Sequence, residues 1–255
     1  MSTARAVRTW TARRSNKIFD KLAIDTVDAP KTDGKGGQLA YEIFDINDDV
    51  AKRALETKFI QGIKTGRLDP TEYGGYTVQD AIYCYHGTEN LETLEKKARS
   101  EGLPDLESFA SLKAEGYKDY AASMFHDWHI NNPRGIDLGE AASNYLHFSR
   151  SVLHGFPPYY MIIAMLPCDM LWEWLGQQLK GYVSDANVYS FWIEGNLPGS
   201  TSWEDFVDGH TRKYDKEIAN QIFRIAMISE LNFFRSGCGE KLEPVPKMPE
   251  PPSAC

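Results

Sequence analysis

The sequence predicts an all-α fold, a single helical bundle, on three observations. Apolar residues recur at three- and four-residue steps through most of the chain, as on amphipathic helices. No stretch sustains the period-two alternation of β-branched residues that strands would show. The 255 residues, 42% of them hydrophobic, are enough for the core of one large domain and too apolar for general disorder.

Residues 1–37 read as a flexible N-terminal extension. Arg5, Arg8, Arg13, Arg14 and Lys17 precede the first acid, Asp20, and "KTDGKGG" then marks a joint. Such an Arg- and Ser/Thr-rich, acid-poor start is similar to a mitochondrial presequence, with a plain disordered tail as the alternative. No apolar segment near the N-terminus serves as a secretory signal. A cytoplasmic location is therefore expected, with mitochondrial targeting as the variant.

Residues 38–238 are expected to form the folded domain. Leu39, Ile43, Ile46, Val50 and Ala54 place one apolar stripe on a single helix. "GIKTGRL" turns the chain and "DPTE" restarts it, with Asp69 as cap, Pro70 in the first helical position and Glu72 in the third. Further helices are expected at 90–100, 105–130, 138–154, 157–180, 186–194 and 203–236. The Pro-rich segment "EKLEPVPKMPEPPSAC" can hold neither helix nor central strand, so residues 239–255 are expected to be a disordered tail outside the fold.

Several functions are disfavoured at this stage. The net charge is −8 and no basic patch interrupts the middle of the chain, so no nucleic-acid partner is expected. The longest apolar run, residues 159–167, is too short to span a bilayer. Cys84, Cys168, Cys238 and Cys255 form no CxxC pair and show no regular spacing, against zinc and against a disulfide framework. Neither a Walker-type loop nor G-x-S-x-G is present. His126 and His129 share a helix face but read as surface and packing. No histidine has a glutamate three residues before it, as a di-iron bundle would require. No metal or cofactor is expected.

Three stretches carry chemistry. In "MIIAMLPCDMLWEWLGQQL", residues 161–179, Pro167 removes a backbone donor, frees the carbonyl of Ile163 and kinks the helix. Cys168 then lies beside the first turn of the second half-helix, where unpaired N–H groups would lower its pKa. A cysteine packed as a small apolar residue is the competing reading. In "YTVQDAIYCYHGTEN", Asp80 and Tyr83 share a helix face with Tyr76 one turn before. An acid on such an inward face is costly unless it binds something, and the alternative is a solvated Asp at the stripe's edge. In "MISELNFFRSG", Glu230 lies between Ile228 and Phe233. Burial would raise its pKa toward that of a general acid or base, and exposure on the polar face is the alternative. Tyr145, in "ASNYLHFSRSVLHG", adds a further aromatic hydroxyl on a core helix.

In their order and spacing these segments resemble the TenA/thiaminase II family, whose members have a haem-oxygenase-like helical bundle. The resemblance covers residues 39–237 and rests on "KFIQGIKTGRLDPTEYGGYTVQDAIY", "MLPCDMLWEWLGQQL" and "SELNFF". It implies that Cys168 is the nucleophile and Glu230 the acid/base. It further implies Asp80 as the carboxylate that binds an aminopyrimidine, Tyr83 and Tyr145 beside the cysteine, and Phe233 packed on the substrate ring. Trp172 and Asn196 stand where the family has tyrosines, which alters the pocket's polarity. The resemblance implies a homotetramer that takes a small molecule, thiamin or an aminopyrimidine derived from it. Water as second nucleophile makes the enzyme a hydrolase of the thiaminase II type. An amine or thiol makes it a base-exchange transferase of the thiaminase I type. An oxidase on the same fold, and a ligand-binding protein without catalysis, are the rival readings.

Overall fold

The computed structural model describes residues 38–199 and 201–252, and every regular element among them is helical. The expectations for residues 1–37 and Cys255 lie outside the described residues.

The stripe that opens the domain is divided between α1 (Leu39–Ile46) and α2 (Asp48–Leu55). Asn47 makes the break. Its amide donates to the carbonyl of Ile43 at 2.7 Å and to Asn220 Oδ1 at 2.8 Å, and its own oxygen accepts from Arg224 at 2.9 Å. A side chain bonded in this way competes with the helical ladder. One expected core residue is lost as a result: Ile46 is 55% exposed, while Leu39, Ile43, Val50 and Ala54 are buried.

Helix α3 (Lys58–Thr65) is capped by Thr57 and ends at Gly66, whose φ of 69° is the left-handed conformation that glycine adopts without strain. Asp69 starts α4 (Pro70–Ser100), its carboxylate accepting from the Thr71 amide at 2.7 Å. The helix runs unbroken for 31 residues, about 46 Å, so the separate helix expected at 90–100 is its second half. Helix α5 (Pro104–Asp127) packs along it. At Gly87 a Cβ would lie 2.9 Å from the Tyr117 ring, so this close approach depends on glycine.

Then come α6 (Glu140–Gly155), α7 (Tyr160–Met165), α8 (Pro167–Leu179), α9 (Ser190–Gly195) and α10 (Ser202–Gly209). The last is α11 (Lys216–Gly237). The single helix expected at 203–236 is therefore two. A turn at Thr211–Lys213 separates them, and the Asp215 carboxylate caps α11 by accepting from the amides of Glu217 and Ile218 at 2.9 and 3.0 Å. The helix expected from 186 starts only at Ser190, because Asn187 spends its amide on the carbonyls of Ile63 and Tyr182 at 3.0 and 3.2 Å.

Helix α11 is the axis of the domain, in contact with α1, α2, α3, α4, α6, α7 and α8. Its residues 225–234 are buried without interruption, apolar and polar alike. Residues 240–252 form neither helix nor strand, as their prolines dictate, but they are strapped to α11 rather than held outside the fold. Asn232 and Glu243 exchange bonds of 2.9 and 2.7 Å, Arg235 pairs with the Glu243 carboxylate at 2.8 Å, and Glu240 accepts from the Lys58 amide at 2.9 Å. These polar side chains supply the backbone partners that no ladder provides. No described helix is long and apolar enough to cross a membrane.

Candidate active site

Pro167 divides α7 from α8, but it does so as a bend. Leu166 keeps helical angles, and its carbonyl accepts from both Asp169 and Met170 amides at 3.1 Å. Two of the N–H groups expected to stabilise a Cys168 thiolate are therefore already partnered. What Cys168 meets instead is Glu230. The thiol donates to Glu230 Oε1 at 3.0 Å. Tyr145 Oη donates to the same oxygen at 3.0 Å and lies 3.4 Å from Sγ, and Tyr83 Oη lies 3.7 Å from Sγ. The indole of Trp172 donates to Glu230 Oε2 at 3.0 Å. Glu230 is 3% exposed and Asp80 is 7% exposed, so the solvated alternatives for both acids are ruled out.

The lowered thiol pKa expected from the helix turn is not what this environment gives. Burial, then the Glu230 charge and the bond to it, push the Cys168 thiol well above its ordinary value. Burial also raises Glu230, while the bonds from Cys168, Trp172 and Tyr145 pull it back down. The resting pair is thus a protonated thiol donating to a carboxyl oxygen that also accepts from Tyr145, with Trp172 donating to its other oxygen. Such a pair can deprotonate the sulfur at the moment of attack, as a nucleophile beside its own general base does.

Asp80 is reached from α5, where Tyr120 Oη donates to Oδ2 at 3.3 Å, and Cys84 Sγ lies 4.0 Å from Oδ1. Burial first, then the Glu230 charge, raise the Asp80 carboxyl to about 7. Aromatic rings fix the remaining walls. Tyr83 stacks on Tyr145 with centroids 4.7 Å apart, and Phe233 meets Tyr83 edge-on at 5.9 Å.

These groups enclose a cavity of about 90 Å³, lined by Cys168, Glu230, Asp80, Tyr83, Tyr145, Trp172 and Phe233 among others. It far exceeds the roughly 10–15 Å³ that one water needs. Seven of the eight residues singled out in the sequence meet there. The exception is Asn196, whose amide donates to the Trp192 carbonyl at 2.7 Å and which lines an adjoining cavity of about 80 Å³. Sequence reasoning missed Cys84, Tyr117, Tyr120, Asp169 and Trp203, all on the first cavity's wall. Tyr117 and Tyr120 carried a usable signal, being two tyrosines three apart and hence on one face of α5.

A cluster of mutually interacting titratable groups lies near Trp203. Lys113 on α5 is fully buried, donates to Ser202 Oγ at 2.5 Å and sits 4.8 Å from the Trp203 ring centroid. Burial lowers it to about 8. Asp169 and Glu204 nearby are both raised, by burial foremost and, for Glu204, by the Asp169 charge next. Among the described residues no group of three or more His, Cys, Asp and Glu is arranged to hold a metal. His126 is exposed and bonded to Asp127 at 3.0 Å, away from this cavity.

Solved structures place this arrangement among known folds. A TenA homologue from P. horikoshii OT3 superposes with a TM-score of 0.64 at 16% identity, covering 78% of this chain and 97% of that one. A TenA family transcription regulator from Silicibacter sp. TM1040 gives 0.62 at 17%, covering 79% and 97%. A TenA homologue from Pyrococcus furiosus gives 0.62 at 16%, covering 78% and 99%. No family model and no curated protein matches the chain by sequence. The chain therefore has the all-α fold of the TenA proteins, as the sequence resemblance implied.

Proposed function

We propose that this chain is a TenA-type enzyme that cleaves thiamin or an aminopyrimidine derived from it, with Cys168 as nucleophile and Glu230 as acid and base. The observation that carries the reading is the 3.0 Å bond from the Cys168 thiol to a buried carboxylate, inside a cavity that also holds Asp80. A scaffold that only binds has no use for a thiol kept beside its own base.

The ring enters with its amino group and ring nitrogen against Asp80, and Phe233 and Tyr83 cover its faces. Glu230 takes the thiol proton as Sγ bonds to an electron-poor ring carbon, and the pair pushed into the ring expels the substituent. If that substituent is a ring nitrogen, the carbon–nitrogen bond breaks and the nitrogen keeps both electrons. Addition of water then restores the aromatic ring and breaks the carbon–sulfur bond. Glu230 returns its proton to sulfur, and the proton lost by water goes to solvent. The residues need neither metal nor cofactor in any of these steps. The hydrolase and the base-exchange transferase differ only in the second nucleophile, and the adjoining aromatic cavity favours keeping the transferase as a second reading. A homotetramer, as the resemblance implies, belongs to the same proposal, and light scattering on the purified chain checks it.

The test is product analysis by mass spectrometry after incubation with thiamin, with and without pyridine, beside a Cys168→Ser control. Free hydroxymethyl-pyrimidine without amine marks a hydrolase, and an amine-dependent pyrimidine adduct marks the transferase. No Cys168-dependent product from thiamin or from an aminopyrimidine overturns the reading.

A further inference from the structure

A run of carboxyls leads away from the wall of the first cavity. Asp169, the residue after Cys168, stands on that wall, and Glu173 follows it by one turn on the same face of α8. Glu204, from α10, lies within electrostatic reach of both and is 3% exposed. It bonds to the Asp169 carboxyl, and two carboxyls bond to each other only when one of them carries a proton. Asp169 Oδ2 and Glu204 Oε2 are nonetheless buried with no hydrogen-bond partner in the protein, a cost that natural folds seldom leave standing. Lys113, buried on α5 and held by Ser202, acts on both acids with its positive charge. Asp205 and the Tyr41 hydroxyl are further titratable groups that act on Glu204. Glu173 is half-buried and accepts from the backbone N–H of Gly199, an exposed residue.

In the cleavage proposed above, one proton has no carrier in the protein. Glu230 holds the thiol proton while the second nucleophile attacks, and it returns that proton to sulfur. It is therefore not free to take the proton that water loses. Asp80 is occupied with the ring. Asp169 is the remaining carboxyl on the cavity wall, and it alone has further carboxyls behind it.

We propose that Asp169 takes the proton from the attacking second nucleophile, and that Glu204 and Glu173 pass it to solvent. The assignment rests on the cleavage reading above and adds a second base to it. The oxygen of water bonds to carbon as one of its O–H bonds breaks. The bonding pair stays on oxygen, and the proton goes to the Asp169 carboxylate. Glu204 then releases its own proton toward Glu173 and solvent, and the proton on Asp169 shifts across to Glu204. Each carboxyl ends as it began, and one proton has left the cavity. Lys113 offsets the negative charge that rests on Glu204 in between. Burial foremost raises both acids, Asp169 to about 6 and Glu204 to about 8, so each can exchange a proton near neutral pH.

The experiment follows the purified full chain with thiamin or an aminopyrimidine, by rapid quench and by mass spectrometry of the intact protein. Asp169→Asn keeps the shape and loses the base. Release of the first fragment in a single turnover should stay within about two-fold of wild type, while steady-state hydrolysis falls roughly 10²-fold. The pyrimidine adduct on Cys168 should accumulate. Glu204→Gln should accumulate it too, with a fall of roughly ten-fold. Formate fits the space of a deleted carboxyl, so it should restore Asp169→Ala saturably and leave Asp169→Asn unchanged. Wild-type turnover in Asp169→Asn overturns the assignment, as does loss of both half-reactions together with no recovery in formate, which marks a structural role. Wild-type turnover in Glu204→Gln overturns the exit route. A wild type with no Cys168-dependent product overturns the cleavage reading and the relay with it, so the wild type and the variants tell the two failures apart.

Discussion

Glu230 accepts the Cys168 thiol on one oxygen and the Trp172 indole on the other, each at 3.0 Å, so the carboxylate is held in the plane between nucleophile and wall. Both ends of the acid are fixed before substrate arrives. Under the proposed mechanism that arrangement makes the carboxylate as base, not a preformed thiolate, the source of nucleophilicity.

Replacing the sulfur tests this directly. Cys168→Ser should abolish turnover, because an alcohol is a far weaker acid than a thiol and Glu230 cannot deprotonate it effectively. Circular dichroism and the unfolding midpoint should stay near wild type, since the hydroxyl can keep the bond to Glu230. Full activity in this variant would end the covalent mechanism.

Removing the base should leave a residue of activity. Glu230→Gln keeps the shape but cannot take the thiol proton, and a loss of roughly 10²–10⁴ in kcat is expected. The wild-type rate should rise with pH through a carboxylate pKa above the ordinary glutamate value, because burial raises Glu230 and the ionised form is the active one. That rising limb should vanish in the variant, and a retained limb would assign it to another group.

Trp172 tunes the same limb. Its indole bond lowers the Glu230 pKa against the effect of burial. Trp172→Phe deletes the donor and keeps an aromatic ring, so the acidic limb of kcat/KM should move to higher pH. An unshifted profile would show that the bond carries no electrostatic weight.

The Lys113–Asp169–Glu204 cluster sets a stability profile. Glu204 and Asp169 are raised by burial, so the folded chain holds their protons more tightly than the unfolded chain does. This contribution is complete below the unfolded carboxylate pKa of about 4 and is lost as pH rises toward the raised folded values. Lys113, lowered to about 8, acts oppositely and only on the alkaline side of that value. Thermal midpoints should fall from mildly acidic to neutral pH, and Glu204→Gln should flatten the slope. An equal slope in the variant would remove Glu204 as its source.

Gly176 seats α8 against α9. A Cβ there would lie 1.9 Å from the carbonyl oxygen of Asn196, which is backbone and cannot swing aside. Gly176→Ala should therefore destabilise the chain by about 1–3 kcal/mol, read from the midpoint of urea unfolding. A midpoint at or above the wild-type value would contradict the packing.

Much of this was legible in residue order. The all-α class, the Asp69–Pro70 start and the interruption at Pro167 follow from period, capping and proline chemistry, which act over a few residues, whereas the burial of Asp80 and Glu230 was one of two readings left open and was decided by packing. Misreadings arose where one distant side chain changed a local outcome. Asn47 splits the first helix because Asn220 and Arg224 wait beside it, and Ile46 is turned outward. Asp215 restarts the last helix after a turn that the apolar period ran straight through. The Pro-rich segment is tied down by Asn232 and Arg235, which no local pattern announces.

The sequence by itself determined which side chains are candidates for chemistry, since a thiol, two acids and their aromatic neighbours are singled out by type and spacing. Only the tertiary structure decided which of them meet and in what environment. Electrostatic influence depends on distance and burial in space, and the two residues that meet between α8 and α11 are 62 positions apart in the chain. From Pro167 alone, Cys168 reads as a thiolate at a helix turn. Packed against Glu230 it is a neutral thiol, because burial first, and then the carboxyl 3.0 Å away, outweigh backbone N–H groups that are already bonded to Leu166.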